Sequence, residues 1–298
     1  MPHDAISSKI SVDSKESEEL KYGVRVWKHL LAGSTAAIAS RTVTAPLDRL
    51  KTIAQASSSK VTIYNGLRTM IKEGGISSMW RGNGINLVKA MPEVTIRFVT
   101  FNELKHVLVK DRTHELTTAE RMIAGGVSGL IAHSIVHPIE VVKTRFILHN
   151  AGKQNNFTNT LIKGYKTEGY RFLFRGYVTS IFGILIFSSI DFSTYESLKK
   201  MYKKRYGPSA FGQEVVFCSM VSSVVAQSFA YPFAVIGVHL QTVGRPAKWR
   251  DIRKFVFSRG AEGLYRGFGI ALLRGVPTFA TAYFSYELIL SMLNEQMI

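Results

Sequence analysis

Charged residues recur in this sequence at spacings that place them on a shared surface. Pro46-Leu47-Asp48-Arg49-Leu50-Lys51 is followed by Pro138-Ile139-Glu140-Val141-Val142-Lys143, and then by Pro232-Phe233-Ala234-Val235-Ile236-Gly237. Proline removes a backbone donor and bends a helix. An acid two residues later and a base three residues after that lie on one helix face. Such a set does ion-pair chemistry between neighbouring helices and would close a bundle at the level of the prolines. Asp48, Lys51, Glu140 and Lys143 are the candidate gate, and Ala234 and Gly237 contribute no charge to it. If each acid pairs forward, only Asp48–Lys143 forms, leaving Glu140 and Lys51 without charge partners. Two readings stay open: residues hydrated in a vestibule, or a weak gate that opens easily. A second ring at the far end of the even helices would use Lys105, Glu196, Lys199 and Glu287, with Asn102 and Leu290 as its gaps.

A third set suits ligand binding. Lys89, Gly183 and Arg274 each stand thirteen residues before a recurring marker, Phe101-Asn102, Tyr195-Glu196 and Tyr286-Glu287. Equivalent positions share one depth and face one cavity. Two are cationic, and cations in a low-dielectric cavity suit phosphate or carboxylate. The third, with Ile184 beside it, lets a flat apolar ring lie against the backbone. A nucleotide has both parts. Asn86 stands one turn before Lys89, and Glu93 and Arg97 follow Lys89 on the same face. Asp191 lies at the level of Arg97, so the two are expected to pair across the cavity. The alternative for Glu93 and Asp191 is an internal ion-pair network without a ligand role.

The elements that must position these residues form three repeats. The prolines are 92 and 94 positions apart, and an aromatic-basic-glycine marker keeps the same beat at Trp80-Arg81-Gly82, Phe174-Arg175-Gly176 and Tyr265-Arg266-Gly267. Three markers in one order define a unit of roughly 95 residues. The expected organisation is a mobile tail at residues 1–22, followed by repeats at 23–113, 114–208 and 209–298. Each repeat holds two largely uncharged stretches of membrane-spanning length. No Asp, Glu, Lys or Arg occurs between Glu214 and Arg245, or from Met122 to Ile139. The even-numbered spans carry a few charges each, which a hydropathy scan penalises. Between the spans lies a short amphipathic segment, such as Asn65 to Lys72 with Leu67, Met70 and Ile71 at helical spacing. Small residues (Gly125, Gly126, Gly129, Ala36, Ala37) fit close helix packing in lipid. The fold class is therefore an all-α membrane protein. It has six transmembrane helices in a pseudo-threefold bundle of three repeats, with short amphipathic surface helices and both termini on one side.

Composition limits the function classes. In 298 residues, 46% are hydrophobic, yet the net charge is +17. That combination points to nucleic-acid binders or to proteins of an anionic membrane that handle anionic ligands. A soluble RNA-binding helical repeat conflicts with an uncharged run as long as 215–244. A lone cysteine, Cys218, excludes a disulfide scaffold. The first 22 residues carry no apolar h-region and contain Asp4, Asp13 and Glu16, so neither a secretory signal nor a cleavable presequence is expected. No Walker A sequence and no nucleophile–base pair is visible, so the chain is not expected to be an enzyme and has no catalytic residues. His133 and His137 are four apart on a span, without a third ligand at helical spacing. They are read as packing or pore-lining residues, and no metal site is expected.

These motifs resemble those of the mitochondrial carrier family over nearly the whole chain, from about Trp27 to Met292. The resemblance implies a central substrate site, alternating access between two salt-bridge gates, and cardiolipin bound near the short surface helices. Within the family, Arg41-Thr42 through Lys51, Arg81-Gly82-Asn83-Gly84-Ile85-Asn86 with Lys89 and Pro92-Glu93, and Gly183-Ile184 look like the ATP-Mg/phosphate carriers. The hexapeptide Arg-Arg-Arg-Met-Met-Met of ADP/ATP carriers is absent. The implied function is exchange of adenine nucleotides, ATP and ADP, with phosphate and magnesium as open companions. A carrier of coenzyme A or another nucleotide cofactor is the alternative. No cofactor and no nucleic acid is expected, the working unit is a monomer, and calcium control by an EF-hand domain is not expected. The expected location is the mitochondrial inner membrane, or that of a derived organelle such as a mitosome.

Overall fold

The computed structural model describes residues 3–57, 59–108, 117–148, 157–206, 213–243 and 249–293. Among these residues there is no strand. The long helices are α1 (His3–Ala56), α3 (Asn83–Leu108), α4 (Thr118–Leu148), α6 (Tyr177–Tyr206), α7 (Gln213–Thr242) and α9 (Phe268–Met292). Three short ones, α2 (Ile63–Gly74), α5 (Phe157–Glu168) and α8 (Trp249–Leu264), fall between the long helices of each repeat. Residues 3–22, expected as a tail, continue α1 as helix. Straight-chain helix formers in Lys15-Glu16-Ser17-Glu18-Glu19-Leu20-Lys21 favour that outcome.

Three segments are long and apolar enough to cross a membrane: Glu120–Leu148, Tyr170–Arg205 and Val215–Thr242. The second contains α6, an even-numbered span, which departs from the expected penalty. Its charges begin at Asp191, beyond an uncharged run at 177–190. Large apolar side chains point outward along the helices, among them Val88, Met91, Val94 and Phe98 on α3 and Phe217, Met220 and Phe229 on α7. An apolar exterior of this extent suits lipid rather than water.

The chain divides into two compact units, with boundaries inside α1 and α9. The smaller takes Met1–Thr44 and Arg274–Ile298. In it, Lys28 Nζ donates to the Leu293 carbonyl at 3.0 Å, and His29 Nδ1 shares a 2.8 Å hydrogen bond with the Tyr286 hydroxyl. The larger, Ala45–Leu273, holds the three proline motifs and all three surface helices.

Three small cores stabilise the larger unit, one in each repeat. Leu50 and Ala54 pack with Met70 of α2 and with Ile270, Val141 and Val142 pack with Phe172, and Tyr231 and Val235 pack with Phe255 of α8. The amphipathic reading of α2 holds for Met70 and Leu67, but Ile71 is exposed. Gly66 takes the buried place against Leu50, where a Cβ would overlap Leu50 Cδ1. Gly125 and Gly126 have no neighbour close enough to explain them as packing notches. At Gly129 the space is taken by the Arg97 guanidinium rather than by a helix backbone, with Cζ and Nε each 4.0 Å from an ideal Cβ.

Six glycines with positive φ repeat the threefold pattern in the backbone. Gly75, Gly169 and Gly260 occupy one equivalent position, and Gly82, Gly176 and Gly267 the other, seven residues later. The second set docks each repeat on the first long helix of the next. A Cβ on Gly82 would lie 2.9 Å from Ile147 of α4, one on Gly176 2.9 Å from the Gly237 carbonyl of α7, and one on Gly267 3.1 Å from Ala54 of α1. The contacts run from repeat 1 to 2, from 2 to 3 and from 3 back to 1. Left-handed backbone costs a non-glycine residue about 1–2 kcal/mol, and the overlap with a carbonyl adds to it. Gly176→Ala is therefore expected to lower the melting temperature of the detergent-solubilised protein by several degrees. Gly84→Ala, on open helix surface, is expected to leave it unchanged or slightly raised. Differential scanning fluorimetry on the two variants checks this.

Candidate functional site

A cavity of about 330 Å³ opens within the larger unit, and the three proline motifs line it in register. Two residues after each proline stand Asp48, Glu140 and Ala234. Five after stand Lys51, Lys143 and Gly237, and nine after stand Gln55, Ile147 and Gln241. All nine residues line the same cavity. The missing charges of the third motif are thus a smooth wall where the other two helices present charge. α6 contributes Ser180, Gly183, Ile184 and Phe187 to the opposite side.

Glu140 does not stand without a charge partner, as forward pairing predicts. Lys89 Nζ, from α3, donates to Glu140 Oε2 at 3.0 Å and lies 3.7 Å from Glu93 Oε2 one turn along its own helix. The physical reason is a local one. Gly237 offers Glu140 no base, and the Lys89 side chain is only 12% exposed, so its ammonium needs carboxylate partners close by. Lys51 also interacts with a neighbouring group. Lys143 Nζ donates to Asn86 Oδ1 at 2.9 Å. Asn86, expected as an extra polar contact beside Lys89, therefore holds Lys143 of the second proline motif.

Asp191 does not pair with Arg97. Its Oδ1 accepts hydrogen bonds from Ser222 at 2.7 Å and Ser223 at 3.3 Å on α7, while Arg97 rests against Gly129 of α4. Gly129 and Ser223 both stand nine residues before their proline. Helix α3 packs on α4 and α6 on α7, so each polar group meets the neighbouring odd helix before it can reach across the cavity. Arg274 is half-buried on α9 in the smaller unit. Of the second ring, Lys199 lies 5.5 Å from the centre of the Tyr195 ring. Among the described residues Lys105 and Glu196 form no ion pair with each other, and Glu287 belongs to the smaller unit.

The aromatic-basic-glycine marker has a role that its spacing alone did not disclose. Arg175 donates to the Val243 carbonyl at the end of α7, Arg266 Nη1 donates to the Ser57 carbonyl at 3.1 Å beyond the end of α1, and Arg81 stacks 4.7 Å over Phe146 near the end of α4. Cations belong at helix C-termini, where carbonyls are unpaired. Burial lowers the pKa of Arg81, though it stays charged. Below the gate, Arg145 Nε donates to the Gln241 carbonyl at 2.7 Å and its Nη groups hold both oxygens of Glu168. The residue before the proline is tied in as well. His137 Nε2 donates to the Arg175 carbonyl at 3.1 Å, and the Tyr231 hydroxyl donates to the equivalent Arg266 carbonyl at 2.8 Å.

A family model described as mitochondrial carrier protein matches the chain three times, at residues 22–112, 114–206 and 210–297. The chain belongs to the mitochondrial carrier family. Members of that family are transporters of the mitochondrial inner membrane, not enzymes, and this carrier is accordingly a multi-pass protein of that membrane. It is 34% identical to the mitochondrial adenyl nucleotide antiporter SLC25A24 of Danio rerio over 294 residues, covering 95% of this chain and 61% of the relative. It is 36% identical to the calcium-binding mitochondrial carrier protein SCaMC-2-A of Danio rerio over 285 residues, covering 90% and 60%. It is 34% identical to the mitochondrial adenyl nucleotide antiporter SLC25A25 of Mus musculus over 273 residues, covering 88% and 58%. The carrier thus spans about three-fifths of the length of these relatives.

The Lys89–Glu140 contact is the measurable core of this site. Lys89→Met should destabilise the carrier, because it takes the bonded ammonium from the Glu140 carboxylate; Glu140→Gln should cost less, because Lys89 keeps Glu93 at 3.7 Å. The double variant should lose less than the sum, with a coupling of about 1 kcal/mol or more. A thermal double-mutant cycle in detergent measures it.

Proposed function

We propose that this carrier exchanges adenine nucleotides, ATP for ADP or for phosphate, by alternating access through the central cavity. The reading is carried by the cavity's two unlike walls. One presents Glu140 and Lys143, with Lys89 seated on Glu140, and the other presents Gly183, Ile184 and Phe187. A phosphate chain needs cations and a purine needs a flat apolar surface, and both are within one chamber. The printed names of SLC25A24 and SLC25A25 as adenyl nucleotide antiporters favour the same reading.

In this mechanism the nucleotide's phosphates draw Lys89 away from Glu140, since a doubly charged oxyanion outcompetes one carboxylate for an ammonium. Glu140 then loses the partner that Gly237 cannot replace, and the gate on that side weakens while the substrate is bound. Arg274, thirteen residues before its marker as Lys89 is, is the second cation of the proposal, and the purine lies on Gly183-Ile184. Alternation then closes the other end through Lys105, Glu196, Lys199 and Glu287. Magnesium travelling with the nucleotide, cardiolipin held beside α2, α5 and α8, and a monomeric working unit belong to the same proposal.

The test is uptake of labelled ATP by liposomes holding the purified carrier, loaded with ADP, with phosphate, or with neither. Uptake driven by internal ADP or phosphate is the expected result. Lys89→Ala and Arg274→Ala should each lower kcat/KM roughly 10- to 100-fold, the worth of a hydrogen bond to a charged group. Lys204→Ala, at the exposed end of α6, should not. No uptake under any loading by folded protein removes adenine nucleotides, and competition by coenzyme A alone transfers the site to that substrate.

A further inference from the structure

Helix α4 carries two histidines that the exchange reaction does not use, beside a carboxylate that it does. One nitrogen of His133, one of His137 and a carboxylate oxygen of Glu140 lie within 4.8 Å of one another. Glu140 is the third donor that the sequence reading did not find for the two histidines. It follows His133 by seven residues and His137 by three, so all three share one face of the helix. His137 is fully buried. Its Nε2 is committed to the Arg175 carbonyl, which leaves Nδ1 as the ring's lone pair, and that atom is buried without a hydrogen-bond partner. His133 Nε2 is buried and unpartnered too, while its Nδ1 lies 3.9 Å from Glu140 Oε2. Unpaired buried ring nitrogens are costly in an otherwise satisfied interior.

We propose that His133, His137 and Glu140 form a binding site for a divalent first-row transition ion, of which zinc suits the donors best. Two imidazoles and one carboxylate match borderline ions, whereas Mg²⁺ and Ca²⁺ take oxygen donors. Donors around a tetrahedral ion stand about 3.4 Å apart, so the three must close by little more than 1 Å, which ring and carboxylate rotation provides. The hydrogen bond from His137 Nε2 to a backbone carbonyl is the arrangement that fixes the tautomer and orientation of a metal-ligating histidine. Three protein donors leave a fourth position open. His133 and Glu140 both line the central cavity, so that position faces it, where water or an anionic oxygen completes the shell.

Lys89 is the competitor for this site, since it holds Glu140 Oε2. It also has a second seat, because Glu93 Oε2 is already 3.7 Å away. An ion on Glu140 therefore displaces Lys89 towards Glu93 without stranding its charge. This sets two opposite expectations on one carboxylate. Removing a histidine weakens the ion, and removing Lys89 strengthens it, whereas a packing role for the histidines predicts neither.

The test is titration of the full-length, tag-free carrier in detergent with cobalt(II) chloride, read by visible absorption, and then displacement by zinc chloride. The expected result is one cobalt per chain with the intense bands of a four-coordinate nitrogen–oxygen site, abolished by zinc and unaffected by magnesium. His133→Gln and His137→Tyr should each weaken binding roughly tenfold or more, and Lys89→Met should tighten it several-fold. Tyrosine at 137 reproduces the Tyr231 arrangement of the third repeat and keeps a donor for the Arg175 carbonyl. A lost site in that variant, with an unchanged melting temperature, is therefore lost coordination and not lost fold. The proposal is overturned by the absence of such a band, by one that survives both histidine variants, or by displacement with magnesium. Because the readout is the bound metal, none of these outcomes depends on which substrate crosses the membrane.

Discussion

The backbone at Gly176 lies so near the Gly237 carbonyl that no side chain fits between them, and the larger unit depends on this approach and its two equivalents. Gly82 meets Ile147 and Gly267 meets Ala54 in the same way. The contacts are cyclic, so each repeat fixes the height of the next helix relative to its own proline. Once heights are fixed, residues at equal distance from the three prolines share one level. The common lining of the cavity by Asp48, Glu140 and Ala234, and by Lys51, Lys143 and Gly237, follows from that geometry. The guanidinium preceding each glycine reinforces it by lying against the end of the same neighbouring helix. Close approach without a cation would leave the terminal carbonyls unpaired. A cation without close approach would not reach them.

Much of this was legible in the sequence, because the features that recur are those the backbone requires. The prolines, the aromatic-basic-glycine markers and the uncharged runs gave three repeats and two spans in each. Asp48, Lys51, Glu140 and Lys143, aligned by distance from the proline, and Gly183 and Ile184, aligned by distance from the Tyr195-Glu196 marker, line one cavity. The errors have one cause. Pairings such as Asp191 with Arg97 were inferred from equal depth, but side chains bond to the nearest partner, which is the odd helix packed alongside. Ser222, Ser223 and Gly129 were therefore the residues to ask about. The helix-end contacts of Arg81, Arg175 and Arg266 left a trace only as a residue type repeated in the three repeats of this chain. His137 and Tyr231 left even less, since an imidazole and a phenol do one job there with unlike side chains.

That last pair shows what the symmetry constrains. At the position before the proline the structure requires a donor to a fixed carbonyl in repeats 2 and 3, and either ring supplies it. Repeat 1 has Ala45 there. Positions pointing into the cavity are freer still, since nothing in the docking contacts depends on them. Charge could therefore be lost at Ala234 and Gly237 while the backbone contacts of the same helix stayed in place.

The consequence is a cavity whose backbone is nearly threefold and whose chemistry is one-sided. Along α1 and α4 are Asp48, Lys51, Glu140, Lys143 and His133, with Lys89 of α3 seated on Glu140, and along α6 and α7 are Gly183, Ile184, Phe187, Ala230, Ala234 and Val238 beside the neutral Ser180, Gln227 and Gln241. A symmetric ring of three acids and three bases would satisfy itself and offer a ligand no preferred orientation. Losing one acid and one base from the third motif leaves Glu140 dependent on a lysine that sits one level higher, on a helix outside the gate. In the proposed exchange the gate and the binding surface share a residue. An anion that drew Lys89 away would act on Glu140 at the same moment, with no intervening chain of contacts. On the proposed function, the field that would attract a phosphate on one wall and the apolar surface that would accept a ring on the other both follow from the absence of charge at Ala234 and Gly237.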